Sequence, residues 1–401
     1  MSVREFRAEV RDWLEANCPA SMRTPMPDEE IINGGRKHQS PNPDSYVWLE
    51  RMASKGWTVP HWPAAYGGAD LSTEECIVLF EEMSRIDARI PLTGMGVSMI
   101  GPTLLEYGTE AQKAEHLPKI ASGEIRWCQG YSEPGAGSDL AGLQTRAVEQ
   151  GDQYVINGQK IWTTLAQYAD WIFCLVRTDP DAPKHEGISF MLVDMAQPGV
   201  TVKPIRLISG ASPFCETFFD DAVAEKHNLV HQLNKGWTVG KRLLQHERSG
   251  IQALAQAAAG RDVRAASGMP LHVAAREYIG TDTTGKINDP ALRAEIINHR
   301  MNNRALALTQ SRSVEESEGG TPGFTTSVFK LRGADFRKEQ FELQLKVRGT
   351  QALGWDGAAF SEEEQEVTRS WLGSKASSIA GGSNEVQLNI IAKRVLGLPD
   401  V

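Results

Sequence analysis

The stretch YSEPGAGSDLAGLQTRA, Tyr131–Ala147, divides the chain into two textures. Its glycines leave main-chain N–H groups uncovered between a helical block and a β-rich block, where a planar or anionic ligand can touch backbone. An ordinary flexible loop has the same composition. The stretch lacks both the strand-to-helix setting and the G-x-G-x-x-G spacing of a dinucleotide fold, which argues against that reading.

On its N-terminal side, residues 1–125 carry a helical period. Phe6, Val10, Trp13 and Leu14 share one face, and the segment from Ser72 to Arg85 repeats the pattern with Ile77, Phe80 and Met83. The Gly-, Pro- and aromatic-rich run GWTVPHWPAAYGGADLS between them reads as an ordered loop ending in a helix cap near Ser72. On the C-terminal side, residues 126–235 hold short runs of β-branched and aromatic residues: YVINGQKIW, WIFCLVRT, GISFMLVDM, VTVKPIR and ETFFDDA. Asn157-Gly158 is the strongest hairpin signal among them. From Gly236 the helical period returns and runs to the end, with breaks near 268–270, 281–290 and 319–323, and a last helix through Leu388, Ile391, Val395 and Leu398. The acidic run Glu362–Glu366 reads as a solvated helix start. The expected architecture is α+β multidomain: helical residues 1–125, a β-domain at 126–235 and a helical bundle at 236–401.

The chain has 401 residues and a formal net charge of −9 with the signs interspersed, which gives no basic footprint for nucleic acid. No apolar run approaches the roughly 20 residues of a membrane span, and charges occupy the N-terminal run where a signal peptide needs apolar residues. A cytoplasmic protein without membrane contact is expected. Cys18, Cys76, Cys128, Cys174 and Cys215 are scattered without a C-x-x-C pair, so reduced buried thiols are expected and neither a metal site nor a disulfide framework.

Four ordered motifs carry a specific resemblance: EPGAGSD, INGQKIWTT, LLQHERSG and GGSNEVQLNIIAKRVLGL. In this order, over nearly the whole chain, they resemble the acyl-CoA dehydrogenase family. The resemblance implies an N-terminal all-α domain, a central β-barrel domain and a C-terminal four-helix bundle, with FAD as cofactor. It places Tyr131, Ser132, Gly137 and Ser138 along the flavin and the thioester end of an acyl-CoA. Ser132 is expected at the flavin ring edge, Ser138 near the acyl-CoA, and Trp162 and Thr164 against the isoalloxazine. Taken alone, Trp162 reads equally as a core tryptophan. Arg276, Gln351, Gly354, Ser383 and Glu385 match positions that serve the remainder of the FAD.

A flavin accepts hydride, so the protein must supply a base for the α-proton. Many family members carry that glutamate in the C-terminal loop, where this chain has Gly381. A second branch of the family places it on the first helix after the β-domain, directly before an arginine, and the matching pair here is Glu247-Arg248. A Glu-Arg pair on a helix is more commonly a solvated charge face; with position 381 vacated, Glu247 is expected to be the base and Arg248 to support it. The backbone N–H of Gly381 is expected to face the thioester oxygen.

Two departures stand out. The family's Arg-x-x-Phe-Gly is Arg276-Glu-Tyr-Ile-Gly280 here, and Trp355 replaces the second glycine of its Gln-x-x-Gly-Gly motif. Both fall where one subunit contacts another's FAD, so the sequence is compatible with a homotetramer or homodimer and with a heterotetramer. An electron-transfer flavoprotein is the expected electron acceptor. Two further readings compete with the dehydrogenase: an oxidase-like or monooxygenase-like relative, and a subunit that only completes a partner's FAD site.

Overall fold

A computed structural model describes residues 2–37, 39–249, 269–316 and 323–399, with the side chains of 246–249, 311, 314 and 315 outside the description. The chain forms two compact units, Met1–Ile205 with Pro213–Ala259, and Arg206–Ser212 with Gly260–Val401.

The first unit opens with α1, Val3–Asn17, capped by Ser2 and Glu5 in reciprocal hydrogen bonds and burying Phe6, Val10 and Leu14. Helix α2 spans Asp44–Ser54. Helix α3, Thr73–Arg85, starts at Ser72 as its sequence predicts, with Glu75 completing the cap, and buries Leu79, Phe80 and Met83. Ile77 is only half-buried. A π-turn at Gly96–Ile100 leads into α4, Gly101–Tyr107, and α5, Glu110–Ala121, follows.

The strands are β1 Trp127–Gly130, β2 Arg146–Gln150, β3 Gln153–Thr164, β4 Trp171–Arg177, β5 Ile188–Asp194, β6 Val200–Ile205, β7 Phe214–Glu225 and β8 Leu229–Val230. They form one sheet in the order β6-β7-β3-β2-β4-β5-β8, with β1 parallel to β4. The continuous apolar runs of β4 and β5 are explained by burial on both faces. Phe173, Leu175, Phe190 and Leu192 pack in one core with Leu104 and Leu117 of the helices, while Cys174, Val176, Met191 and Val193 pack with Ile156 and Ala222 in a second.

Asn157-Gly158 is not a hairpin turn. Gly151-Asp152 joins β2 to β3, and Asn157 lies inside β3, where its side chain brackets Asp221 of β7 through bonds of 2.8 and 2.9 Å. Gly158 is required for another reason: a Cβ there would stand 2.7 Å from the Thr145 backbone.

Helix α6, Gly236–Ser249, buries Val239 and Leu243 in the first core. Its start lies against β5 so closely that a Cβ on Gly236 would reach 2.2 Å from the Ser189 carbonyl carbon.

The second unit contains helices Leu271–Tyr278, Pro290–Glu315, Thr326–Arg348, Glu362–Ser374 and Asn384–Ile390. Leu271, Ala274, Ala275, Leu292, Ile296 and Leu343 form part of its core. The last α-helix stops at Ile390 and continues as a π-turn to Val395, so Leu398 lies beyond it. The acidic run does start a helix but is not merely solvated. Glu363 pairs with the buried Arg348 at 2.7 Å, and buried Glu364 accepts the Tyr278 hydroxyl at 2.9 Å.

Candidate functional site

The loop after β1 is held by a buried charge pair that the sequence pattern does not suggest. Lys160 occupies an inward position of β3 and is 0 % exposed, with Nζ donating to Glu133 Oε1 at 2.7 Å and to the Tyr131 carbonyl at 3.1 Å. The Glu133 carboxylate also accepts the N–H groups of Gln144, at 2.6 Å, and Thr145, at 2.9 Å. Burial alone would raise the Glu133 carboxyl; the Lys160 charge and these hydrogen bonds outweigh it and hold it below the usual carboxylate range. Residues 131–145 are thus pinned to β3 at both ends. The signal in the sequence was a lysine where strand alternation calls for an apolar residue.

Within the pinned loop, Glu133 and Ala136 exchange backbone hydrogen bonds of 3.0 Å, and Ala136 enters the core. Gly137 and Ser138 project outward, with open space where a Cβ on Gly137 would lie. Tyr131 differs from them. Its ring is buried against Phe173 and Phe190 with the hydroxyl 3.5 Å from the Gly240 carbonyl, so any ligand contact it makes is by main chain.

Beside this loop β3 slips register against β7: Lys160 faces Thr217, yet Thr163 faces Cys215. The extra residue makes a bulge that turns Trp162 outward at a φ of 61° and leaves it 52 % exposed, with its ring edge-on to Phe214. A bulky residue at positive φ is strained, and strain of this kind gathers at ligand sites. Ser132 lies alongside, because its carbonyl accepts the Ile161 N–H at 2.9 Å. Thr163 turns inward to the Cys215 carbonyl at 2.8 Å, leaving half-buried Thr164 on the other side of the strand. The structure therefore brings Ser132, Trp162 and Thr164 to one neighbourhood. An exposed indole with Ser132 and Thr164 on adjoining backbone fits the face and polar edge of a planar ring such as a flavin.

Glu247 and Arg248 fall in the last turn of α6, and their side chains lie outside the described residues. In the second unit, Arg276 is exposed near the end of its helix, and Gln351 is exposed in the short turn Gly349–Leu353. Gly354 lacks a side chain for a packing reason, since a Cβ would meet the Phe360 ring at 2.3 Å. Trp355 is stacked by Arg369 at 5.4 Å.

Gly381 has a φ of 67° and open space around its Cβ position. Its carbonyl accepts from the buried Gln387 amide at 3.4 Å, and the Gly382 carbonyl accepts from Lys330. Ser383 caps the following helix through Val386 N–H at 3.3 Å, and Glu385 is exposed. This glycine turn is therefore oriented by side chains behind it. Among the described residues no group of acidic, cysteine or histidine side chains is placed to hold a metal, and no helix is long and apolar enough to cross a membrane. All five cysteines are free and buried.

Three family models match: the acyl-CoA dehydrogenase N-terminal domain over residues 2–124, the middle domain over 128–222 and the C-terminal domain over 234–396. The chain is 38 % identical over 402 residues to acyl-CoA dehydrogenase IpdE1 of Mycobacterium tuberculosis, covering 99 % of this chain and 98 % of that one. Among solved structures, the Tcur3481-Tcur3483 steroid ACAD is similar with a TM-score of 0.75 and 30 % identity, covering 100 % of this chain and 98 % of the other. The ChsE4-ChsE5 complex from Mycobacterium tuberculosis gives a TM-score of 0.73 at 30 % identity, with the same coverage of both chains. With all three of its segments matched in order and a relative of this identity along nearly its full length, the chain belongs to the acyl-CoA dehydrogenase family of flavin-dependent oxidoreductases.

Proposed function

We propose that the chain converts a bulky, ring-bearing acyl-CoA thioester to its 2,3-enoyl-CoA, with FAD as the flavin and Glu247 as the base. The observation that carries the reading is the strained bulge that presents Trp162 beside Ser132 and Thr164. FAD, when bound, supplies a hydride acceptor at N5 of its ring.

The chain's own residues divide the remaining work. Trp162 covers the ring face, and the hydroxyls of Ser132 and Thr164 bond its polar edge. Gly137 and Ser138 border the thioester end of the substrate, and Tyr131 contributes main chain. Arg276, Gln351, Gly354, Ser383 and Glu385 serve the outer part of the FAD. The Gly381 N–H donates to the thioester oxygen, where enolate-like charge develops as the α-proton leaves. Glu247 removes that proton, with Arg248 holding its surroundings.

The relatives support the choice of acyl group and assembly: one is titled a steroid ACAD, and two are titled by a pair of chains. Those titles support a heteromeric assembly over a homotetramer or homodimer, with an electron-transfer flavoprotein taking the electrons. Anaerobic titration of the purified protein with straight-chain and ring-bearing acyl-CoAs tests the reading. Ring-bearing thioesters should bleach the visible flavin band in the wild type, while Glu247→Gln should retain flavin and not bleach. Rapid reoxidation by oxygen would make the protein an oxidase. A colourless chain that becomes active only with a partner, regardless of Glu247→Gln, would make it an FAD-completing subunit.

A further inference from the structure

Away from the Trp162 neighbourhood, the first unit contains a cleft of about 370 Å³ between the loop at residues 31–36, the turn after α5 and the α2 face bearing Tyr46 and Leu49. The cleft is built rather than incidental. Gly35 N–H donates to the Gly123 carbonyl at 3.0 Å, which fastens the loop to the turn, and a Cβ on Gly34 would meet the Ile125 carbonyl oxygen at 2.7 Å. Arg126 lines it.

Arg126 is only 5 % exposed, and among the described residues no acceptor is within hydrogen-bond distance of its guanidinium. It stacks over the Tyr168 ring at 5.5 Å. The Asp170 charge favours the guanidinium from nearby without a hydrogen bond to it. Asp170 accepts the backbone N–H of Arg126 at 2.9 Å, and Glu124 at the exposed rim stands 3.8 Å from Arg36. A guanidinium stays protonated, and Arg126 lines the cleft with no protein acceptor for its head group, which leaves its donors to water that an acid entering the cleft can displace. The rest of the wall is largely apolar, with Ile31, Ile32 and Leu49.

We infer that this cleft is a second binding site, for a small apolar acid whose carboxylate pairs with Arg126. The planar fork of arginine matches a carboxylate in two parallel hydrogen bonds, and the apolar wall takes the hydrocarbon body.

Calorimetric titration of the flavin-loaded protein with cyclohexanecarboxylate, cyclohexanecarboxamide and inorganic phosphate tests this. The carboxylate should bind about 10-fold or more tighter than the amide, which lacks the charge. Arg126→Met should abolish that preference, and Arg126→Lys, which keeps the charge but not the fork, should reduce it. Acyl-CoA turnover should keep its KM with the carboxylate present. The inference is overturned if the wild type does not bind the carboxylate, if phosphate binds as tightly, if Arg126→Met and Arg126→Lys both leave the preference unchanged, or if the carboxylate competes with acyl-CoA.

Discussion

Trp162 stores strain of about 1–3 kcal/mol in its positive φ. Replacing it with glycine removes the conformational penalty along with the indole. Trp162→Gly should therefore leave the flavin-free protein at the same thermal midpoint or a higher one while lowering flavin retention, measured as the absorbance ratio after dialysis. Glu247→Gln, by contrast, should retain flavin and lose about 100-fold or more in kcat, the usual contribution of a positioned base, measured by single-turnover reduction. At the C-terminal turn the two glycines should respond differently. Gly381→Ala meets open space and should cost about 1–2 kcal/mol for its left-handed backbone, whereas Gly382→Ala also drives a Cβ to 2.6 Å from the Gln387 amide and should cost more in urea unfolding. Individual positions of this kind could be picked out only where a motif surrounds the residue. Trp162 could be named from INGQKIWTT, but its outward turn depends on a register slip against β7, a distant partner that the local pattern does not contain.

At the scale of an element, the Glu133–Lys160 pair joins the glycine loop to β3. Lys160→Met should destabilise by about 3–5 kcal/mol, because Glu133 is left buried without its partner. Glu133→Gln with Lys160→Met should recover most of that loss, and denaturant midpoints check both. The sign of the pH dependence follows from Glu133, whose folded pKa lies below its unfolded value. Its contribution is complete above the unfolded value of roughly 4.3 and is lost as pH falls through the lower folded value, so the wild type should lose stability over that range more steeply than the double variant. Helix caps were readable because they are local: Ser72 and Glu75 are three residues apart and close on each other. The buried pair spans 27 residues, so alternation along β3 can mark Lys160 as inward but cannot name Glu133 as its partner. Asn157-Gly158 misleads for a related reason, since the residues suit a turn and the chain uses them to bracket a bulge on a neighbouring strand.

Across the whole molecule, the change from helical to β texture near 126 and back near 236 was visible, because period and residue type change together over long windows. The two compact units divide otherwise: the β-region shares a core with the N-terminal helices, which periodicity does not reveal. That core also sets an acid limit for the fold. Burial pulls His116 down to about 4, with both ring nitrogens lacking partners between Trp127 and Trp171, and pulls His61 down to about 4 as well. Because the unfolded chain takes up these protons first, stability should hold above about pH 6.5 and fall toward pH 4. His116→Phe should flatten that decline, as read from urea midpoints at a series of pH values.

The strand β3 carries a further consequence for how this chain can tolerate a change in length. Its first slip adds a residue on β7, where Ile156 faces Ala222 but Gly158 faces Phe219; the second adds one on β3 and restores the original offset. The two behave as a frameshift and its suppressor, written in hydrogen bonds rather than codons. Deleting Trp162 alone would leave the downstream pairing out of frame, placing the Thr163 hydroxyl on the wrong layer. Deleting Asp221 together with it would bring both strands back into step while flattening the surface that displays the indole. A substitution along this ribbon acts at its own position, but a change in length has to occur in both strands at once.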